Sequence, residues 1–149
     1  MVKVVRSTIL EQPVDAVWDV LRDFNGHDWW HPAIASSQIE RGESADRVGC
    51  IRRFRLADGS ELREQLLTLS DAETAYSYCL LDTPVPLFNY VSHVRLLPVT
   101  DGDRTFWQWE SRFDTPRGRE KELAELVGEG IYGDGFTAIR NHFQQRAAA

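Results

Sequence analysis

Gly49-Cys50-Ile51-Arg52-Arg53-Phe54-Arg55-Leu56-Ala57-Asp58-Gly59-Ser60-Glu61-Leu62-Arg63-Glu64-Gln65-Leu66-Leu67-Thr68-Leu69-Ser70 reads as two β-like runs, 49–56 and 61–70, joined by an Asp-Gly turn. A return this short makes the two strands antiparallel neighbours. Loop length also decides which side chains share a face, because they alternate along each strand. A two-residue loop sets Ala57 opposite Ser60 and Arg52 opposite Gln65, leaving Glu64 on the other face. A three-residue loop, a type I turn with a glycine bulge, sets Arg52 opposite Leu66 and brings Glu64 onto the face of Arg52. The bland arrangement pairs Arg53 with Glu64 on the solvent face, worth a few tenths of a kcal/mol. Both registers stay open at this point.

Outward from the hairpin the same rhythm continues. Strand candidates at 36–41, 75–81, 88–99 and 105–113 are separated by turn-forming clusters, which makes an antiparallel meander. Before it, Val2–Leu10 reads as a strand. Pro13 then suits a first helical turn, and Val14, Val17, Trp18 and Leu21 recur at helical spacing. Gly26 and Pro32 bracket room for one more short helix. After the meander, Leu123, Val127, Ile131, Tyr132, Phe136, Ile139 and Phe143 mark a long C-terminal helix ending in a frayed Ala147-Ala148-Ala149 tail. Helices gathered at both ends of one sheet give an α+β fold. A sheet this wide curls, and a long helix across its concave side can leave a hole. Gly128 and Gly135, seven apart on the core-facing stripe, are consistent with such a hole. Alternatively, Gly128, Gly130, Gly133 and Gly135 break or kink the helix.

The chain has 149 residues, 42% hydrophobic and 27% charged, which is about one globular domain. With 17 Lys+Arg against 23 Asp+Glu the net charge is −6, which disfavours nucleic acid and acidic membrane surfaces. No apolar run approaches the ~20 residues of a membrane span, and Met1–Arg6 lacks the apolar core of a signal peptide, so a cytoplasmic location and no membrane insertion are expected. Cys50 and Cys79 read as buried thiols. Gly128-Glu129-Gly130-Ile131-Tyr132-Gly133 fits the G-x-G-x-x-G pattern in letters only, because no parallel βαβ unit surrounds it. His27 and His31, four apart, faintly echo a zinc helix but lack a third ligand, so no metal is expected. His93 and His142 read as packing residues.

Polar residues embedded in an aromatic-rich sheet are more informative: Arg52, Glu64, Tyr76, Tyr78, Tyr90, Trp107 and Trp109. A subset facing a cavity is what a small-molecule site needs.

The runs Val17-Trp18 to Asp23-Phe24, Trp30-His31-Pro32, Val48-Gly49-Cys50-Ile51-Arg52, Asp58-Gly59, Arg63-Glu64-Gln65-Leu66-Leu67, Tyr76-Ser77-Tyr78, Asn89-Tyr90, Trp107-Gln108-Trp109 and Ile131-Tyr132 resemble the polyketide cyclase/dehydrase-like branch of the START-like (SRPBCC) superfamily. The resemblance spans nearly the whole chain. It implies a helix-grip fold: a curved antiparallel sheet of about seven strands around a long C-terminal helix, with two short helices after the first strand. It also implies one START-like ligand-binding domain over residues 1–146. Within the superfamily the chain is most similar to lachrymatory factor synthase-like proteins. That similarity implies that Arg52 and Glu64 are the catalytic pair sharing the cavity face, with Tyr78, Tyr90 and Trp109 in the cavity. The connection between the two strands is shorter here and the residues after Arg52 differ, so no substrate carries over.

Two functions follow as expectations. The first is binding of a small hydrophobic or aromatic ligand, oriented by Arg52 and walled by Tyr78, Tyr90, Trp109, Tyr132, Phe136 and Trp30, with no cofactor. The alternative is a cofactor-independent cyclase, dehydratase or isomerase, with Glu64 as proton carrier and Arg52 stabilising developing negative charge. A tight Arg52–Glu64 pair would hold the Glu64 proton affinity down, so the chemistry requires something to stand between them.

Overall fold

The computed structural model describes residues 1–148. Nine residues alternating in burial form β1 (Val2–Leu10). Pro13 caps α1 (Val14–Leu21), which buries Val17, Trp18, Val20 and Leu21. One further turn, α2 (His27–Trp30), follows Gly26. The meander then runs β2 (Ile34–Ile39), a 3-10 turn (Glu40–Gly42), β3 (Ile51–Leu56), β4 (Glu61–Ser70), β5 (Ala75–Asp82), β6 (Phe88–Val99) and β7 (Arg104–Asp114). All seven strands form one antiparallel sheet in the order β1-β7-β6-β5-β4-β3-β2. Register shifts in β2, between β4 and β5, and at the start of β6 are bulges, which bend strands and deepen the curl. Among the described residues no helix is long and apolar enough to cross a membrane.

The hairpin takes a three-residue loop. Gly59 N–H donates to the Leu56 carbonyl (2.9 Å), Gly59 adopts φ +87°, and Leu56 N–H donates to the Ser60 carbonyl (2.8 Å). This is a type I turn with a left-handed glycine behind it, a conformation that glycine adopts freely. The register is corrected relative to the sequence expectation, because the pair flanking the loop is Leu56 with Ser60. Arg52 therefore lies opposite Glu64, not Leu66 or Gln65, and Arg53 lies opposite Arg63. The two facing guanidinium groups are held by Glu40: Arg63 Nε and Nη2 donate to it at 2.7 and 2.8 Å and Arg53 Nη2 at 3.3 Å. Arg63 lowers the Glu40 carboxyl to about 2.

The C-terminal helix has three parts: α3 (Glu120–Glu125), a π-helical stretch (Leu126–Gly133) and α4 (Asp134–Ala148). The tail is helical through Ala148, and Ala149 lies outside the described residues. Two glycines are sites of close approach, not of empty space. A Cβ on Gly128 would stand 2.6 Å from Arg6 Nη2, and one on Gly135 would stand 2.9 Å from Trp109 Cζ3. At Gly130 a Cβ would meet only Leu126 Cδ1, at 3.5 Å. Gly130→Ala should therefore raise stability by about 1 kcal/mol through helix propensity. Gly135→Ala should lower it by about 1–3 kcal/mol, because the packed indole must give way. Denaturant unfolding of the two variants checks this contrast, and equal shifts would contradict it.

Candidate functional site

The interior is solid on one side and hollow on the other. Trp107 and Trp109 of β7 stack at 5.8 Å, Phe136 of α4 packs edge-on against Trp107 at 4.5 Å, and Tyr132 stacks on Trp109 at 4.2 Å. On the β2–β5 side the inward residues are shorter: Ile34, Leu56, Leu62 and Leu80. Together with Val85 and Leu87 of the β5–β6 connection and Leu126, Gly130 and Ile131 of the π stretch, they surround a cavity of about 230 Å³. Its wall is mostly apolar, and its polar side chains come from His27, His31, Arg52, Glu64, Tyr78, Thr83, Tyr90 and Trp109.

Arg52 is 1% exposed and is held entirely by protein groups. Its Nε and Nη2 stand 3.0 and 2.9 Å from the same Glu64 oxygen, Oε1. Its Nη1 donates to the Phe24 carbonyl at 2.9 Å and to His27 Nδ1 at 3.0 Å. The Tyr76 hydroxyl also touches it, and the guanidinium lies 3.8 Å from the centre of the Phe24 ring, with Phe54 and Tyr78 nearby. Aromatic faces and neutral acceptors thus replace the water a buried cation loses.

Glu64 is engaged through one oxygen. Among the described residues nothing hydrogen-bonds its Oε2. Burial raises the Glu64 proton affinity above its usual value, and the Arg52 charge and hydrogen bond oppose that rise without cancelling it. The pair is therefore tight, as a proton-transfer role would not want, yet Glu64 is not the strongly acidic carboxyl that contact alone would make.

His27 is the residue that sequence reasoning passed over. It is 3% exposed, and because arginine only donates, Nδ1 must be the acceptor. The neutral ring therefore carries its proton on Nε2, a buried atom with no hydrogen-bond partner. Its spacing to His31 drew attention only as a metal echo, whereas its partner, Arg52, is 25 positions away and gave no local signal. His31 also lines the cavity and is held by backbone groups: Nε2 donates to the Ile131 carbonyl at 2.9 Å and Nδ1 accepts from Ala33 N–H at 3.2 Å, tying the end of α2 to the π stretch. Among the described residues no three His, Cys, Asp or Glu side chains are grouped as a metal site needs.

Burial pushes both histidines below their ordinary value of 6.5, for His27 with the Arg52 charge adding to it. The folded protein keeps them neutral where the unfolded chain binds protons, so this stability is present above about pH 6.5 and is lost as pH falls towards the folded values. Glu64 acts with the opposite sign, so a comparison isolates the histidine. His27→Gln, which keeps an acceptor for Arg52, should show a shallower loss of unfolding midpoint between pH 7 and 5 than the parent. Parallel curves would contradict the assignment.

Of the residues expected in the site, the structure brings Arg52, Glu64, Tyr78, Tyr90 and Trp109 to the cavity. It does not bring Tyr132, Phe136 or Trp30 there. Tyr132 faces inward beside the cavity and bonds the Tyr90 hydroxyl and Ser92. Phe136 is spent on the tryptophans, and Trp30 borders a separate outer groove between α2 and α4. Trp109 Nε1 donates to Tyr78 Oη at 3.2 Å and to Ser92 Oγ at 3.0 Å, which holds the Tyr78 hydroxyl through its oxygen. Burial raises the Tyr78 and Tyr90 hydroxyls and pushes Tyr132 up to about 12, so all three stay neutral. Cys50 is buried and Cys79 only partly so; both are free thiols. His93 is exposed, and His142 packs edge-on against Trp29 at 4.9 Å.

The sequence profile of a family described as "Polyketide cyclase / dehydrase and lipid transport" matches residues 1–144. Among curated proteins nothing matches the chain. Among solved structures, the protein XoxI from Bacillus cereus is 27% identical with a TM-score of 0.86, over 97% of this chain and 96% of its own. A protein from Thermobifida fusca is 26% identical with a TM-score of 0.87, over 97% and 95%. A norcoclaurine synthase point mutant from Thalictrum, in complex with a transition-state analogue, is 14% identical with a TM-score of 0.75, over 97% and 95%, a likeness of fold alone.

Proposed function

Because the chain belongs to the polyketide cyclase / dehydrase and lipid transport family, we propose that it binds one small, largely apolar ligand in the cavity between the β2–β5 half of the sheet and the π stretch, with residues 1–146 acting as one ligand-binding unit. The observation that carries the reading is the cavity itself. An apolar space of about 150 Å³ suffices to hold benzene, so 230 Å³ accepts roughly one ring with a few substituent atoms. The lining follows the usual design of ligand pockets, apolar walls with a few convergent polar groups. Toluene tests it: calorimetric titration should give saturable binding to one site per chain. Absence of saturable binding would count against the reading.

A second reading is cofactor-free proton transfer by Glu64, favoured by its unengaged Oε2 and its raised proton affinity. Arg52 is then a positioning residue, because its N–H groups are already committed. Exchange of the methyl protons of acetophenone in D2O is the readout. Loss of that exchange in Glu64→Gln, with toluene still bound, supports turnover; unchanged exchange removes Glu64 from the role.

A further inference from the structure

Glu64 leaves an acceptor open in the cavity wall. It lies on the concave face opposite Arg52, which meets only its Oε1, through Nε and Nη2. Oε2 has no partner among the described residues, yet it is not one of the orphaned polar atoms sealed from solvent, as His27 Nε2 and Trp30 Nε1 are. The Glu64 side chain stays 9% accessible, against 1% for Arg52, and Glu64 lines the cavity, so the surface it keeps belongs to the hollow. The donors around it are committed. Arg52 Nη1 serves the Phe24 carbonyl and His27 Nδ1, and both His31 nitrogens bond backbone groups. Tyr78 Oη lies against Trp109 Nε1 and Ser92, and the Tyr90 hydroxyl against that of Tyr132. Thr83 stands three residues along the chain from Leu80, the cross-strand partner of Glu64, which is roughly 10 Å of extended backbone.

Resting on the proposed ligand-binding reading, we propose that the cavity selects neutral N–H heteroaromatics of the indole and pyrrole class, whose N–H donates to Glu64 Oε2. The nitrogen of such a ring donates and does not accept, because its lone pair belongs to the π system. It therefore matches a site that offers an acceptor and has no donor to spare. The negative charge on the acceptor makes the bond stronger than one between neutral groups. A furan or ether oxygen sets a second acceptor against the carboxylate, and a hydrocarbon takes water from Oε2 without giving it a partner. A phenol satisfies Oε2 but carries its own lone pairs to a place where the donors are committed, so the N–H ring is the better match. Indole is larger than benzene by only three ring atoms, within what 230 Å³ holds. Selectivity thus rests on Glu64, and Arg52 supports it by fixing which carboxylate oxygen is left for the ligand.

Four bicyclic probes of nearly one shape differ at a single edge: indole donates, benzofuran accepts, indazole does both at adjacent atoms, and indene does neither. Titrated calorimetrically into the unaltered protein at pH 8, which keeps Glu64 ionised, indole should bind at least about 10-fold tighter than each of the others. That is the size of effect expected when a buried charged acceptor finds or lacks its partner. A smaller preference over indene would mean that Oε2 is out of reach, and a smaller preference over benzofuran or indazole would mean that a free donor stands beside it; either overturns the inference. In both cases saturable binding of the probes leaves the cavity reading standing, whereas failure of all four and of toluene removes both. Glu64→Gln then identifies the group. Arg52 keeps the amide oxygen, which turns the amide N–H towards the ligand, so the preference should reverse in favour of benzofuran. An undiminished preference for indole in that variant would overturn the assignment to Glu64. The comparison in the unaltered protein needs no substitution, so loss of folding cannot mimic it.

Discussion

Arg52→Leu should destabilise the protein by about 3–5 kcal/mol in denaturant unfolding at pH 7, one of the largest effects of any single substitution in the chain. Removing the guanidinium leaves the Glu64 carboxyl buried without its cation and leaves the Phe24 carbonyl and His27 Nδ1 without their donor. Each is a buried polar group that has lost its only compensation. The partner substitution shows where the cost lies. In Arg52→Leu/Glu64→Leu the orphan carboxylate is gone and two apolar side chains face each other across β3 and β4, so most of the loss should be recovered, as happens when buried ion pairs are replaced together. The single variant should also regain stability on acidification, since a protonated Glu64 no longer needs a counter-charge. A loss below about 1 kcal/mol with no coupling between the two positions would mean that the pair is solvated, contrary to its burial.

Gly130→Leu should weaken toluene binding by at least about 30-fold while the fold persists. Gly130 is the helix position that borders the cavity without a side chain, and nothing but Leu126 stands near its missing Cβ. A leucine there adds four carbons at a position that borders the space a ligand would use. The helix itself should accept it, because leucine has far better helix propensity than glycine and the backbone of Gly130 needs no left-handed conformation. Affinity and stability therefore move in opposite directions, a pattern that general damage to the core would not produce. Unchanged toluene affinity in a folded Gly130→Leu protein would place the binding elsewhere.

The fold was legible because its signals are local. β1, β4 and β6 begin and end where the alternation of side chains places them, and Asp58-Gly59 announces the hairpin. The C-terminal helix was legible as a helix, but not its winding. Helical periodicity is blurred by eight residues of π geometry, and four glycines in one stretch serve different purposes. Gly128 and Gly135 admit Arg6 and Trp109, and Gly130 borders the cavity, a division that depends on partners far away in sequence.

The site was half legible. Arg52 and Glu64 were visible as polar residues in apolar strands, and their shared face followed once the turn was known, although the register differed from the one counted from the glycine bulge. Tyr132, Phe136 and Trp30 are aromatic at core spacing, and spacing does not separate a side chain that fills the core from one that lines a hollow in it. His27 could not be read at all. Its tautomer and its unused N–H exist only through contact with Arg52, and no pattern within α2 reports that contact.

Isotope-filtered NOE measurements on the toluene-saturated protein test the hollow interior most directly. Contacts are expected from the toluene ring and methyl group to the methyls of Leu62, Leu80, Leu87 and Ile131, which come from three strand-side segments and the π stretch and meet at the cavity. Contacts confined to Trp29 and Ala138 in the groove between α2 and α4, with none to those four, would contradict it.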